Sequence, residues 1–250
     1  MSKAASPSKK AVSPSKKAKR APSRSPNRGP IPMEEELYKL VTDAIVTKQI
    51  RPGARLKEAT LARQFGVSRA RVRAVLQRLA ELGVIEFRLN QGALVRRPGP
   101  DEARAVFSTR RLIEAEVVRE TAKHASKADF TKLRTFVRRE ELAFRRGDKG
   151  LPALSSGFHI MLGDLCRNPV LASILNQLVH RSVLIQALYE RQNQNTVCLT
   201  HEHVDIIDLM ANGRVRDAVA AMLHHIDHLE RSLDYDRAST IDRRIALSIE

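Results

Sequence analysis

Two cysteines, Cys166 and Cys198, are too few to staple a secreted scaffold; they suit a reducing cytoplasm. There is no run of about 18 apolar residues, so no transmembrane helix is expected. The basic N-terminus is followed by no apolar stretch of signal-peptide length, which argues against a secretory signal. The first 33 residues contain no acid, and residues 1–32 hold almost no large apolar side chain. Such a segment cannot bury enough surface to offset chain entropy and is expected to be disordered. The rest of this 250-residue, 42% hydrophobic chain is long enough for one large domain or, preferably, two modest ones.

The net charge of +16 is unevenly spread. Residues 1–33 carry nine Lys and Arg, residues 34–97 carry thirteen against seven acids, and residues 98–250 are close to neutral. A positive field confined to the first 97 residues suits a phosphate polyanion, and the neutral remainder implies a separate task. Within the tail, "SPSKK" occurs at 6–10 and again at 13–17, similar to the Ser-Pro basic repeats of DNA-binding tails. A solvated charge run reads equally well, and Met33 stands directly before the first periodic segment, leaving a start there as a further reading.

From Glu34 the spacing predicts a helix, with Leu37, Leu40, Val41, Ile45 and Ile50 on one face. "RPGARL" breaks it, "KEATLARQFG" forms a short helix closed by Gly66, and Ser68 caps the longer "SRARVRAVLQRLAELG". "VIEFRL" and "ALVRR" flank the turn "NQG" as a β-ribbon. After "PGP" at 98–100 the pattern is helical, with helices expected near 101–125, 127–147, 151–167, 169–192, 199–212 and 214–235, and a weaker one near 238–249. The expected organisation is a tail over 1–33, a DNA-binding domain over 34–97, a linker over 98–104, a helical ligand-binding and dimerisation domain over 105–235, and a C-terminal helical tail over 236–250. The fold class is mainly α: a winged helix-turn-helix followed by an all-helical antiparallel bundle.

Residues 57–82 have the punctuation of a helix-turn-helix, with Arg69, Arg71 and Arg73 opposite the apolar stripe at the start of the second helix. Arginine's planar fork can bond guanine O6 and N7 together, while Ser68 and free backbone amides suit phosphate. The bland alternative is a solvated helix face. "RPGARLKEATLARQFGVSRARVRAVLQRLAELGVIEFRLNQGALV" resembles the winged helix-turn-helix of the GntR family of bacterial regulators, including the wing glycine Gly92. The resemblance makes Ser68, Arg69, Arg71, Arg73 and Gly92 the expected DNA contacts. Many relatives have a Thr-Pro pair before the Val-Arg, whereas this chain has "SRARVR", so operator preference does not carry over.

Among eight histidines, His159, His203 and His225 fall on the apolar faces of three separate helices. They could converge on a transition metal or be separate hydrogen-bonded core residues. His201 and His203 point to different sides, so "HEH" is no chelate by itself, and His224 and His228 read as solvated. "TRRLIEAEVVRETA", "FHIMLGDLCRNPVL" and "EHVDIIDLMANGRVRDAVAAMLHHI" resemble the FCD effector domain of the same family. In that subgroup an Asp and three His bind a metal, and His159, His203 and His225 match the His positions. The Asp position holds Ser155, which costs the site an anionic donor. Either a three-His site with a divalent ion such as zinc survives, or the histidines bind effector directly. Relatives commonly sense small carboxylates, and Arg110 could pair with one; its alternative is a surface salt bridge to Glu114 one turn on.

The expected protein is therefore a non-enzymatic, homodimeric transcription regulator, a repressor released from a palindromic operator by a small organic acid. Two other classes compete with it: a three-His hydrolytic metal enzyme, and an architectural DNA protein acting through its tail.

Overall fold

A computed structural model describes residues 32–47, 49–148, 151–190 and 200–236. The basic repeats of the N-terminal tail and the expected helix near 238–249 lie outside the described residues. The described chain contains, in order, α1 (Pro32–Val46), β1 (Arg55–Leu56), α2 (Glu58–Phe65), α3 (Arg69–Glu81), β2 (Ile85–Arg88) and β3 (Gly92–Val95). It continues through α4 (Pro100–His124), α5 (Lys127–Arg145), α6 (Leu151–Leu165), α7 (Pro169–Tyr189), α8 (Thr200–Ala211) and α9 (Val215–Arg231).

The first six elements form a winged helix. Leu37, Val41 and Ile45 of α1 pack with Val72, Val75, Leu76 and Leu79 of α3 and with Ile85 and Val95 of the wing. Gly66 ends α2 at φ 64, a left-handed conformation that an L side chain takes only at a cost, and this makes the tight turn into α3. The expected ribbon is present as β2 pairing antiparallel with β3, from Ile85 opposite Val95 to Arg88 opposite Gly92. A third strand, β1, adds to the other edge of β3 through Arg55 and Leu56, giving the order β1-β3-β2. Two residues carry no periodicity, so this strand left no trace in the sequence pattern.

The six later helices form the bundle. Its core gathers Val106, Phe107 and Val118 of α4, Leu133 and Val137 of α5, Phe158 and Leu162 of α6, Leu175 and Val179 of α7, Ile206 and Ile207 of α8, and Met222 and Ile226 of α9. The segment 98–104, expected as a linker, is helical from Pro100 onward. Proline at the first helical position is already set for helix, and Asp101 and Glu102 in the first turn favour the positive end of the dipole. Ala103 is already part of the bundle core.

Helix α7 serves both halves. Leu184 inserts into the winged-helix core, and Tyr38 of α1 donates its hydroxyl proton to His180 Nε2 at 2.9 Å. Glu102 of α4 accepts from Arg96, after the wing, and from Arg181 of α7. At the end of α3, Gly83 (φ 70) faces the Arg181 side chain, 3.0 Å from where a Cβ would stand.

Candidate functional site

The candidate DNA-reading face is built by α3 and the wing. Ser68 caps α3 by accepting from the Arg71 backbone amide, which fixes the helix start that carries the arginines. Arg69 and Arg73 are exposed and Arg71 half-exposed. Arg71 and Arg73 have acidic neighbours, Glu34 and Glu58, each at 3.9 Å. Contacts that long at the surface contribute little energy. Gly92, at φ 76, opens β3, and nothing lies within 4 Å of where its Cβ would be. Its need for glycine is therefore conformational, not steric. Beside it the hairpin presents exposed Arg88, Leu89 and Asn90, which the sequence pattern had not singled out.

The second site lies inside the bundle. His159 of α6, His203 of α8 and His225 of α9 are each buried to 3% exposure or less. His225 Nε2 lies 3.1 Å from His203 Nε2 and 3.3 Å from His159 Nε2. Each ring is oriented from behind by a carboxylate: His159 Nδ1 by Glu114 at 2.5 Å, His203 Nδ1 by Glu140 at 2.8 Å, and His225 Nδ1 by Glu202 at 2.7 Å. An ionised carboxylate can only accept, so each Nδ1 carries the proton and three Nε2 lone pairs face one another. Lone pairs at these distances repel unless a cation lies among them. Two ligand atoms bound to one zinc ion stand about 2.9 to 3.4 Å apart, so the spacing and the backing carboxylates both fit a divalent transition metal.

The carboxylates stay charged despite burial. Burial alone would raise Glu114, but Arg110 and His159 outweigh it and hold the group at about 2. Burial likewise opposes ionisation of Glu202, and hydrogen bonds from His225 and His228 bring it to about 2. Burial also opposes Glu140, which His203 and Ser155 hold below the ordinary range. Burial pushes His225 well below its ordinary value, reinforced by His203. His159 is lowered by burial against the pull of Glu114.

Ser155 stands where the FCD resemblance places an Asp, and its hydroxyl donates to Glu140 Oε1 at 2.5 Å. The negative charge near that corner thus belongs to α5. Helix α6 approaches α5 closely at Gly157, where a Cβ would come 2.7 Å from the Phe136 ring. Glu140 had a signal in the sequence: it continues the apolar stripe Phe130, Leu133, Val137 of α5, a charge on a buried face. Glu202 had none, because it lies between two histidines of "HEH" whose own register drew attention first.

Arg110 is 1% exposed, so its pairing with Glu114, at 2.6 Å, is a buried bridge and not a surface one. A second guanidinium nitrogen, Nη1, donates to Ser182 at 3.0 Å, while Nη2 is buried without a partner among the described residues. Arg110, Ser155, Ser182, Glu140 and the three histidines line one cavity of about 470 Å³, within the range of small-ligand sites. Val46, Thr47 and Gln49, at the end of α1, line the same cavity.

Two family models match the chain: bacterial regulatory proteins of the gntR family over residues 33–95, and the FCD domain over residues 105–228. The chain is 26% identical over 199 residues to the Nta operon transcriptional regulator of Aminobacter aminovorans, covering 79% of this chain and 93% of that protein. It is 24% identical to the HTH-type transcriptional repressor RspR of Escherichia coli, covering 84% and 93% respectively. Among solved structures, E. coli McbR/YncC shares the fold with a TM-score of 0.68 at 17% identity, covering 79% of this chain and 95% of that one. A GntR regulator from Rhodococcus sp. RHA1 does so with a TM-score of 0.65 at 20% identity, covering 79% and 95%. The curated relatives are regulators and not enzymes, so the three-His hydrolase reading has no support. With a winged helix that presents Arg69 to Arg73 and a helical domain enclosing a ligand-sized cavity, the chain belongs to the GntR family of DNA-binding transcription regulators, with an FCD effector-binding domain.

Proposed function

We propose that the chain is a cytoplasmic repressor that binds a palindromic operator as a homodimer and is released by a small carboxylate in the bundle cavity. The observation that carries the effector class is Arg110 Nη2, a buried donor without an acceptor among the described residues, in the wall of that cavity. A buried unpaired donor is costly, and a ligand carboxylate would satisfy it with a charge-assisted hydrogen bond. His159, His203 and His225 would hold a zinc-type ion, which when bound supplies a Lewis-acid anchor for the same carboxylate. Ser155 lines the cavity as a neutral hydrogen-bonding group, leaving it less negative than an Asp there would.

Dimerisation follows from the size of the reading element. One α3 reads a half-site, and two heads related by a two-fold axis read a palindrome. Ser68, Arg69, Arg71, Arg73 and Gly92 are the proposed contacts, the arginines to base edges and phosphates, the cap and wing to backbone. Repression is supported by the name of the E. coli relative. The route from ligand to head is short, because the end of α1 lines the cavity and α7 contributes both Ser182 to Arg110 and Leu184 to the winged-helix core. A ligand that favours one placement of α1 and α7 shifts the reading heads by its differential affinity.

The test is thermal unfolding of wild type and Arg110→Met with lactate, succinate and citrate. At least one acid should raise the wild-type Tm and weaken operator binding, with both effects lost in the variant. Equal responses in the two proteins would exclude Arg110 as the carboxylate anchor.

A further inference from the structure

Outside the cavity, α8 and α9 bring together a second set of donors. His224 and His228 stand four residues apart on α9, so they share one face of the helix, with ring centroids 6.3 Å apart. Glu202 of α8 reaches that face, and its Oε1 accepts from His228 Nδ1 at 2.9 Å. One donor atom from each of Glu202, His224 and His228 lies within 4.8 Å of the others. From this geometry we infer a second metal site, formed by Glu202, His224 and His228 on the outer face of the α8–α9 pair and taking a divalent transition ion.

Spacing and chemistry carry the inference together. Donors about 2.0 to 2.1 Å from an ion and at right angles around it are about 2.9 Å apart, the separation of His228 Nδ1 and Glu202 Oε1. The ion takes the place of the proton on His228 Nδ1, His224 supplies the second imidazole, and water completes the shell. Two imidazoles and one carboxylate select zinc, nickel or copper over magnesium or calcium. Two donors come from one rigid helix, and the third is fixed from behind because Glu202 Oε2 accepts from His225 Nδ1 at 2.7 Å. Positioning of this kind supports affinity without further ligands. His224 is exposed and the His228 side chain is 36% exposed, so the site exchanges freely with solvent, unlike the buried trio. Glu202 joins the two: one oxygen serves the outer ion and the other orients an inner histidine.

The test is a calorimetric titration of the full chain with zinc chloride, comparing wild type with the double variant His224→Gln, His228→Gln. Wild type should bind one labile zinc equivalent more than the double variant, and magnesium chloride should reproduce none of the difference. Glu202 is left unchanged because it also supports His225, so any inner zinc contributes equally to both proteins. Operator binding by the double variant in the absence of metal should equal that of wild type, which shows the fold is intact. Should either histidine alone be needed for folding, single His224→Gln is the second variant and should weaken the labile equivalent at least tenfold. Identical stoichiometry and affinity in wild type and a folded variant would overturn the site, and an equal response to magnesium would overturn its metal class.

Discussion

Glu114 accepts from His159 Nδ1 with one carboxylate oxygen and from Arg110 Nε with the other, so a single buried acid ties the cavity's arginine to the histidine cluster. Glu114→Gln therefore breaks two things at once. It removes the counter-charge of a fully buried guanidinium, which costs about 3 to 5 kcal/mol, and it loosens the ring that presents His159 Nε2. Denaturant unfolding should show that loss of stability, and zinc affinity at the inner site should fall about 10- to 100-fold.

The reading face makes a sharper distinction between contacts. Arg69→Ala should weaken specific operator binding, costing about 1 to 3 kcal/mol of discrimination per half-site if the side chain reads a base. If it touches phosphate instead, binding should weaken on all sequences and the salt dependence should fall by about one counterion. Deleting residues 1–31 should leave sequence preference intact. Weakly sequence-selective binding that survives loss of residues 34–97 but not of the tail would favour the architectural reading.

Leu184 is a bundle residue buried at 2% exposure in the core of the winged helix. Leu184→Ala should cost about 2 to 5 kcal/mol and uncouple the halves, seen as two unfolding transitions in calorimetry where wild type shows one.

The seam should also weaken in acid. Burial lowers the His180 pKa below 6.5, with the Asn176 carbonyl only partly opposing it, so the folded ring is neutral and accepts from Tyr38. A depressed histidine means that the unfolded chain binds more protons once pH drops below about 6.5. Its contribution is therefore complete above that value and fades as pH falls through it toward the folded value. The stability difference between wild type and His180→Gln should shrink between about pH 7.5 and pH 5.5. A constant difference would contradict this role.

Much of this was legible before any coordinates. The helices answered to 3.6-residue spacing and to caps such as Gly66 and Ser68, because those signals are local. His159, His203 and His225 could be nominated because each interrupts an apolar stripe. What spacing could not convey was which acid backs which ring, since Glu114, Glu140 and Glu202 meet the histidines across 45, 63 and 23 residues of chain. His224 is exposed, as its register implied, while the tie of His228 to Glu202 escaped notice for the same reason: the partner lies on another helix. The sharing of Leu184 between two cores was also invisible, because a leucine on an apolar face does not announce which core it fills.

The most direct test of the sensor cavity is the metal content of untagged protein after exhaustive dialysis, compared with His203→Ala. The wild type should retain one equivalent of a divalent transition metal that the variant lacks. Equal metal in both, near zero or otherwise, would contradict a metal held by His159, His203 and His225 in the absence of the acid that Ser155 replaces.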